Sequence, residues 1–163
     1  MLFHFKRKPY RAGLEWGVRE SLTAYVTQLP DGVVAVTGAA DFVSGAHPPR
    51  FRFPEVSRTE RQVRFAGAVQ IVGHRGMLRV AASDPWLTLD RGVAALSIKT
   101  EQNAARITVA EVTIADLAWA DEAPAVLTTD GAMWLGPNYS PGDAASTVSL
   151  SPIIPSARNK KSG

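Results

Sequence analysis

The sequence predicts a mainly β domain: an antiparallel β-sandwich or open barrel of short strands with one N-terminal amphipathic helix. Three observations predict it. From Val34 onward the apolar residues recur at a period of two. Gly, Pro, Asn and Asp clusters cut these runs at intervals of roughly 8–12 residues, as in all-β folds. Only the segment from Leu14 to Leu29 spaces its apolar residues by three and four. The chain has 163 residues, enough for one domain with a substantial core. That core is expected over residues 13–150, between a basic leader at 1–12 and a disordered tail at 151–163.

The elements follow in order. Leu14, Val18, Leu22, Tyr25, Val26 and Leu29 fall on one face of a helix. Pro30-Asp31-Gly32 ends it. Val34, Val36 and Asp41 to Val43 suggest a first pair of short strands, and Ser44 to Pro49 a loop. Phe51-Arg52-Phe53 alternates. Gln62 to Val72 is the cleanest strand, with Val63, Phe65, Gly67, Val69 and Ile71 on one face. Gly73-His74-Arg75-Gly76 turns it into Met77, Leu78 and Val80, making a hairpin. Strands then follow at Trp86 to Leu89, Val93 to Ile98, Ile107 to Leu117 and, last, Val126 to Leu135. Asp84-Pro85, Asp90-Arg91-Gly92 and Glu101-Gln102-Asn103 are read as turns.

Composition excludes several classes. There are no cysteines, so disulfides, thiolate metal sites and cysteine nucleophiles are ruled out. Net charge is +3, and the two ends supply much of it. No basic stripe interleaved with aromatics marks a nucleic-acid partner. No run approaches the ~20 apolar residues of a membrane-spanning helix. The basic cluster Lys6-Arg7-Lys8 leads into Pro9-Tyr10-Arg11, not an apolar signal segment, so the expected location is cytoplasmic. No phosphate loop, dinucleotide fingerprint or nucleophile elbow occurs.

The candidate residues carry two readings each. Tyr25 is either a core residue with a satisfied hydroxyl or a ligand held for a metal. His74, between Gly73 and Gly76, is either a solvated turn histidine or an imidazole aimed into a pocket at the sheet rim. Tyr139 lies in the loop Gly136-Pro137-Asn138-Tyr139-Ser140-Pro141-Gly142, where it is a surface packer or a binding residue.

Four ordered stretches resemble one family. LEWGVRESLTAYV (Leu14 to Val26) resembles the opening motif of the HtaA domain, a haem-binding module of actinobacterial haem uptake, including its serine (Ser21) and the tyrosine four residues on (Tyr25). Phe51-Arg52-Phe53-Pro54 resembles its Phe-x-Phe-Pro. VRFAGAVQIVGHRGMLRV (Val63 to Val80) resembles its glycine-histidine strand and turn, and Tyr139-Ser140-Pro141-Gly142 its later loop. The likeness spans residues 14–150. This chain departs from the pattern at Asn138, where the family has an aromatic, and at Ser146-Thr147, where it has Asp-Pro.

The resemblance implies a cofactor, ferric haem b. It implies Tyr25 as axial iron ligand, His74 as its hydrogen-bond partner and Tyr139 as a supporting residue. A phenolate is a hard anionic donor that suits ferric iron, but an ordinary tyrosine is protonated at neutral pH and needs help to ionise. Arg75 is then a candidate partner for the propionates, and Val18, Leu22 and Met77 for the apolar wall. The implied function is capture and transfer of haem without catalysis. Its partners would be haem and another carrier or transporter, with no nucleic acid and no membrane insertion. A homodimer suits a flat ligand with one axial protein bond. The alternatives are a haem enzyme (a peroxidase or haem-degrading oxygenase) and a haem-free interaction domain. Family members are usually exported to the cell envelope.

Overall fold

The segment from Leu14 fits two periods at once, and tertiary pairing selects the strand at its start. In the computed structural model, which describes residues 12–101 and 105–151, β1 (Gly13–Trp16) stands where the helix was expected to begin. It pairs antiparallel with β4 (Phe51–Arg58) on one side and β11 (Ala144–Ser151) on the other. Leu14, Trp16 and Val18 are all buried, a period of two that the helical reading overlooked. A strand hydrogen-bonded on both edges satisfies its backbone through partners far along the chain, which local spacing cannot reveal. The helix, α1, is confined to Glu20–Thr27. The leader up to residue 11, the tail from 152, and residues 102–104 of the expected turn lie outside the described residues. Ser151 itself pairs with Gly13.

The remaining strands are β2 (Val33–Thr37), β3 (Asp41–Phe42), β5 (Gln62–Phe65), β6 (Ala68–Gly73), β7 (Leu78–Asp90), β8 (Val93–Lys99), β9 (Arg106–Thr113) and β10 (Ala120–Leu127). The ladder runs β7-β5-β4-β1-β11-β10-β9-β8, and β8 returns to β7. This is a closed antiparallel barrel of eight strands, with β6, β2 and β3 as extensions. It is neither a sandwich nor an open barrel, because closure leaves no free edge around the ring. β2 and β3 do not form the expected pair; β2 lies on β6 and β3 on β4.

Two further expectations change. Asp84-Pro85 is no turn: β7 runs through it, with Asp84 in the left-handed region (φ 49°) and a register shift against β8. The segment read as a final strand divides after Leu127, and Thr129–Leu135 is a second helix, α2. Thr128 caps it, its Oγ1 accepting from the Gly131 amide at 2.9 Å. The signal was in the sequence, since Thr128 followed by Asp130 makes a helix start as readily as a strand. The last strand is β11 instead.

In the core, Leu14, Trp16, Phe51, Phe53, Ile71, Leu87, Leu96 and Ile98 are essentially inaccessible. Each contributes about 1.5–3 kcal/mol by burial. Trp16 stacks on Trp134 of α2, ring centroids 6.2 Å apart. α2 lies on β9 and α1 on β2 and β6. Both contacts are close. A Cβ on Gly131 would stand 1.9 Å from the Val109 carbonyl oxygen, and one on Gly73 would stand 2.6 Å from Leu29 Cδ1. Gly131→Ala is expected to push α2 off β9 and lower stability by about 1–3 kcal/mol, read as an earlier midpoint in urea unfolding.

Candidate ligand-binding site

Tyr25 does not lie in the core. The buried face of α1 consists of Leu22, Thr23 and Val26, and Tyr25, one step round, is 47% exposed. Its hydroxyl lies 2.6 Å from Nε2 of His74. The rings are tilted, their centroids 5.6 Å apart. The core reading of Tyr25 therefore gives way to an exposed phenol with a specific imidazole partner.

The turn between β6 and β7 aims His74. His74 and Arg75 both take left-handed backbone angles (φ 49° and 57°) before Gly76 (φ 88°). For residues with a Cβ this conformation costs roughly 1–2 kcal/mol each, so surrounding contacts must hold it. One is the Met77 amide, which donates to the His74 carbonyl at 3.1 Å. Another is Asp31, whose Oδ2 accepts from the Arg75 amide at 2.6 Å. Asp31 follows α1, so this bond ties the end of the tyrosine's helix to the histidine's turn. Sequence reading took Pro30-Asp31-Gly32 only as a helix stop.

Tyr25 and His74 open onto a cavity of about 630 Å³, a size typical of small-molecule and cofactor sites. Leu22, Met77, Leu78, Val80 and Leu135 supply apolar surface, and Tyr139 with Trp134 and Gly136 to Asn138 forms the facing wall. Trp134 is anchored by its indole N–H, which donates to the Ala81 carbonyl at 3.2 Å. Tyr139 is half-buried, and the Arg19 guanidinium stands 5.6 Å over its ring while donating to the Ala144 carbonyl. Among the described residues lining the cavity, Arg79 is the one with a full charge.

The structure thus gathers Tyr25, His74, Tyr139, Leu22 and Met77 around one space. Two candidates fall outside it. Val18 is 1% exposed and belongs to the barrel core, because the chain there is strand and turn, and no helix turns its side chain toward Tyr25. Arg75 lies with Pro30 and Asp31 in a separate depression on the far side of the His74 turn. Sequence reading missed Trp134, Leu135, Leu78, Val80 and Arg79. The first two were hidden by reading α2 as a strand.

One departure from the family pattern, Ser146, finds a role. Ser146 Oγ donates to Glu20 Oε2 at 2.8 Å and accepts from the Gly17 amide at 3.0 Å. Arg50 Nη1 meets the same Glu20 oxygen at 2.8 Å. This cluster pins the turn from β1 into α1 and so sets where Tyr25 emerges. Among the described residues, no three His, Cys, Asp or Glu side chains come together to hold a bare metal ion. No described helix is long and apolar enough to cross a membrane.

Asp31→Ala is expected to expose the Arg75 amide, raising its hydrogen-exchange rate at least tenfold, as loss of a bond worth about 1.5 kcal/mol implies. Exchange at the barrel amides of β8 and β9 should stay as in the parent.

Comparisons with known proteins agree with this architecture. The chain is similar in structure to the C-terminal domain of HtaA from Corynebacterium glutamicum, with a TM-score of 0.71 at 17% identity, covering 92% of this chain and 99% of that one. The N-terminal domain of HtaA from the same organism gives 0.69 at 21% identity, covering 90% and 99%. The heme binding protein HtaB, also from C. glutamicum, gives 0.68 at 19% identity, covering 88% and 92%. At these identities the likeness concerns the fold. No curated protein matches the sequence. The HtaA family model matches residues 11–151, and the chain belongs to the HtaA family.

Proposed function

We propose that this domain binds ferric haem b in the cavity between α1, the β6–β7 turn and α2, with Tyr25 as axial ligand, and passes it on to another carrier. The observation that carries the reading is the 2.6 Å contact between Tyr25 and His74 at the cavity mouth. It is supported by the structural neighbour that is itself a heme binding protein.

The residues fit such a group. A flat apolar ligand needs apolar walls, and Leu22, Leu78, Val80 and Leu135 supply them. Bound haem would supply a ferric iron, a Lewis acid suited to one hard anionic oxygen, and Tyr25 would hold it. A lone phenol with a histidine beside it suits that need where three carboxylates or imidazoles would not. As a phenol, Tyr25 donates its proton to Nε2 of His74. As a phenolate, it accepts a hydrogen bond from Nε2–H, which stabilises the charged form. Return of the proton to Tyr25 restores a weak neutral donor, so the same pair serves capture and release. Tyr139 closes the opposite wall. His74 is engaged by Tyr25 and is not free as a distal acid–base group, which favours a carrier over a catalyst.

Haemin titration of the protein should give a ferric phenolate-type absorbance spectrum that Tyr25→Ala abolishes. His74→Ala should retain binding with a shifted spectrum and affinity weakened by about tenfold, the loss of one charge-assisted hydrogen bond. A spectrum unchanged on adding haemin to the parent protein would overturn the reading.

A further inference from the structure

We propose that Arg79 is the carboxylate-binding residue of the cavity and that Glu101 occupies its place until a ligand carboxylate replaces it. The inference rests on the haem reading above and names the group that orients the ligand.

Arg79, on β7, lines the cavity beside Met77, Leu78 and Val80 and carries the one full charge among the described lining residues. Its Nε and Nη2 donate to the two oxygens of Glu101 at 2.6 and 2.7 Å. That is the two-point geometry with which a guanidinium takes any carboxylate. The protein's own side chain therefore displays the arrangement a ligand carboxylate would adopt. The exchange is cheap, because Arg79 and Glu101 are 41% and 36% exposed and such pairs add little to stability. Gln70 Nε2 also donates to Glu101 Oε2 at 3.0 Å, so the displaced carboxylate keeps a partner. Arg79 and Trp134 together divide the cavity from a second groove of about 360 Å³. A porphyrin seated against the apolar wall with its propionate edge toward that groove would meet Arg79. Arg75, which sequence reading offered for this task, is turned away with Asp31.

The test compares haemin with haemin dimethyl ester, in which both carboxylates are blocked, by absorbance titration of the full chain. Arg79→Gln should weaken haemin binding about tenfold and leave the phenolate spectrum unchanged. Glu101→Gln, which removes the competitor, should tighten it about threefold. The parent protein and Arg79→Gln should bind the dimethyl ester equally. Haemin binding by Arg79→Gln equal to that of the parent, or no gain in Glu101→Gln, overturns this proposal while leaving the haem reading intact. Failure of the parent itself to bind haemin overturns both.

Discussion

The carboxylate of Glu20, held by Arg50 and Ser146 beneath the Gly17 amide, is the joint on which the site depends. It brings the start of α1 together with the lead-in to β4 and with β11, the two strands that flank β1. The pair is partly shielded, with side-chain exposures of 15% for Arg50 and 33% for Glu20. Ser146 supplies a further donor to the same oxygen. An ion pair in such a place serves to fix register more than to add stability. A Cβ on Gly17 would press within 2.3 Å of the Glu20 carboxylate, so the joint also explains why the turn has glycine there.

From this joint the geometry propagates outward. β1 closes the ring, the Gly17 turn redirects the chain, and α1 leaves at an angle that puts Tyr25 over the barrel's extension. On that extension the β6–β7 turn spends backbone strain to aim His74, and Asp31 holds the two together. The opposite wall has its own anchor, the Trp16–Trp134 stack, which couples the barrel core to α2 and hence to Tyr139. The rigid part of the molecule thus ends in two helices and a strained turn. These converge on one opening, where contacts made in several elements meet without any of them being adjacent in sequence.

In the proposed reading, the site divides its work by chemistry. Tyr25 and His74 share a proton at the mouth, apolar side chains hold a flat surface, and Arg79 addresses charge at the edge. An exposed phenol fits a ligand that must be handed on, since a ligand sealed in the core could leave only by opening the barrel.

What the sequence alone determined was whatever rests on local chemistry. Period-two alternation with turn signals determined a mainly antiparallel β domain, and Gly73-His74-Arg75-Gly76 a hairpin. Ordered motifs determined the family and named Tyr25, His74 and Tyr139. Tertiary structure decided the rest. Leu14 and Trp16 also fit a strand period, and only pairing with β4 and β11 resolves the segment. Thr128-Thr129-Asp130 opens a helix because β9 offers α2 a surface to lie on. Closure of the barrel depends on β8 returning to β7, a contact that follows from strand twist and register and not from any one segment. The placement of Arg79 in the cavity lining and of Arg75 outside it has the same origin. Arg75 sits within the β6–β7 turn and Arg79 on the strand that follows it, and no composition or spacing rule predicts the turn's left-handed angles.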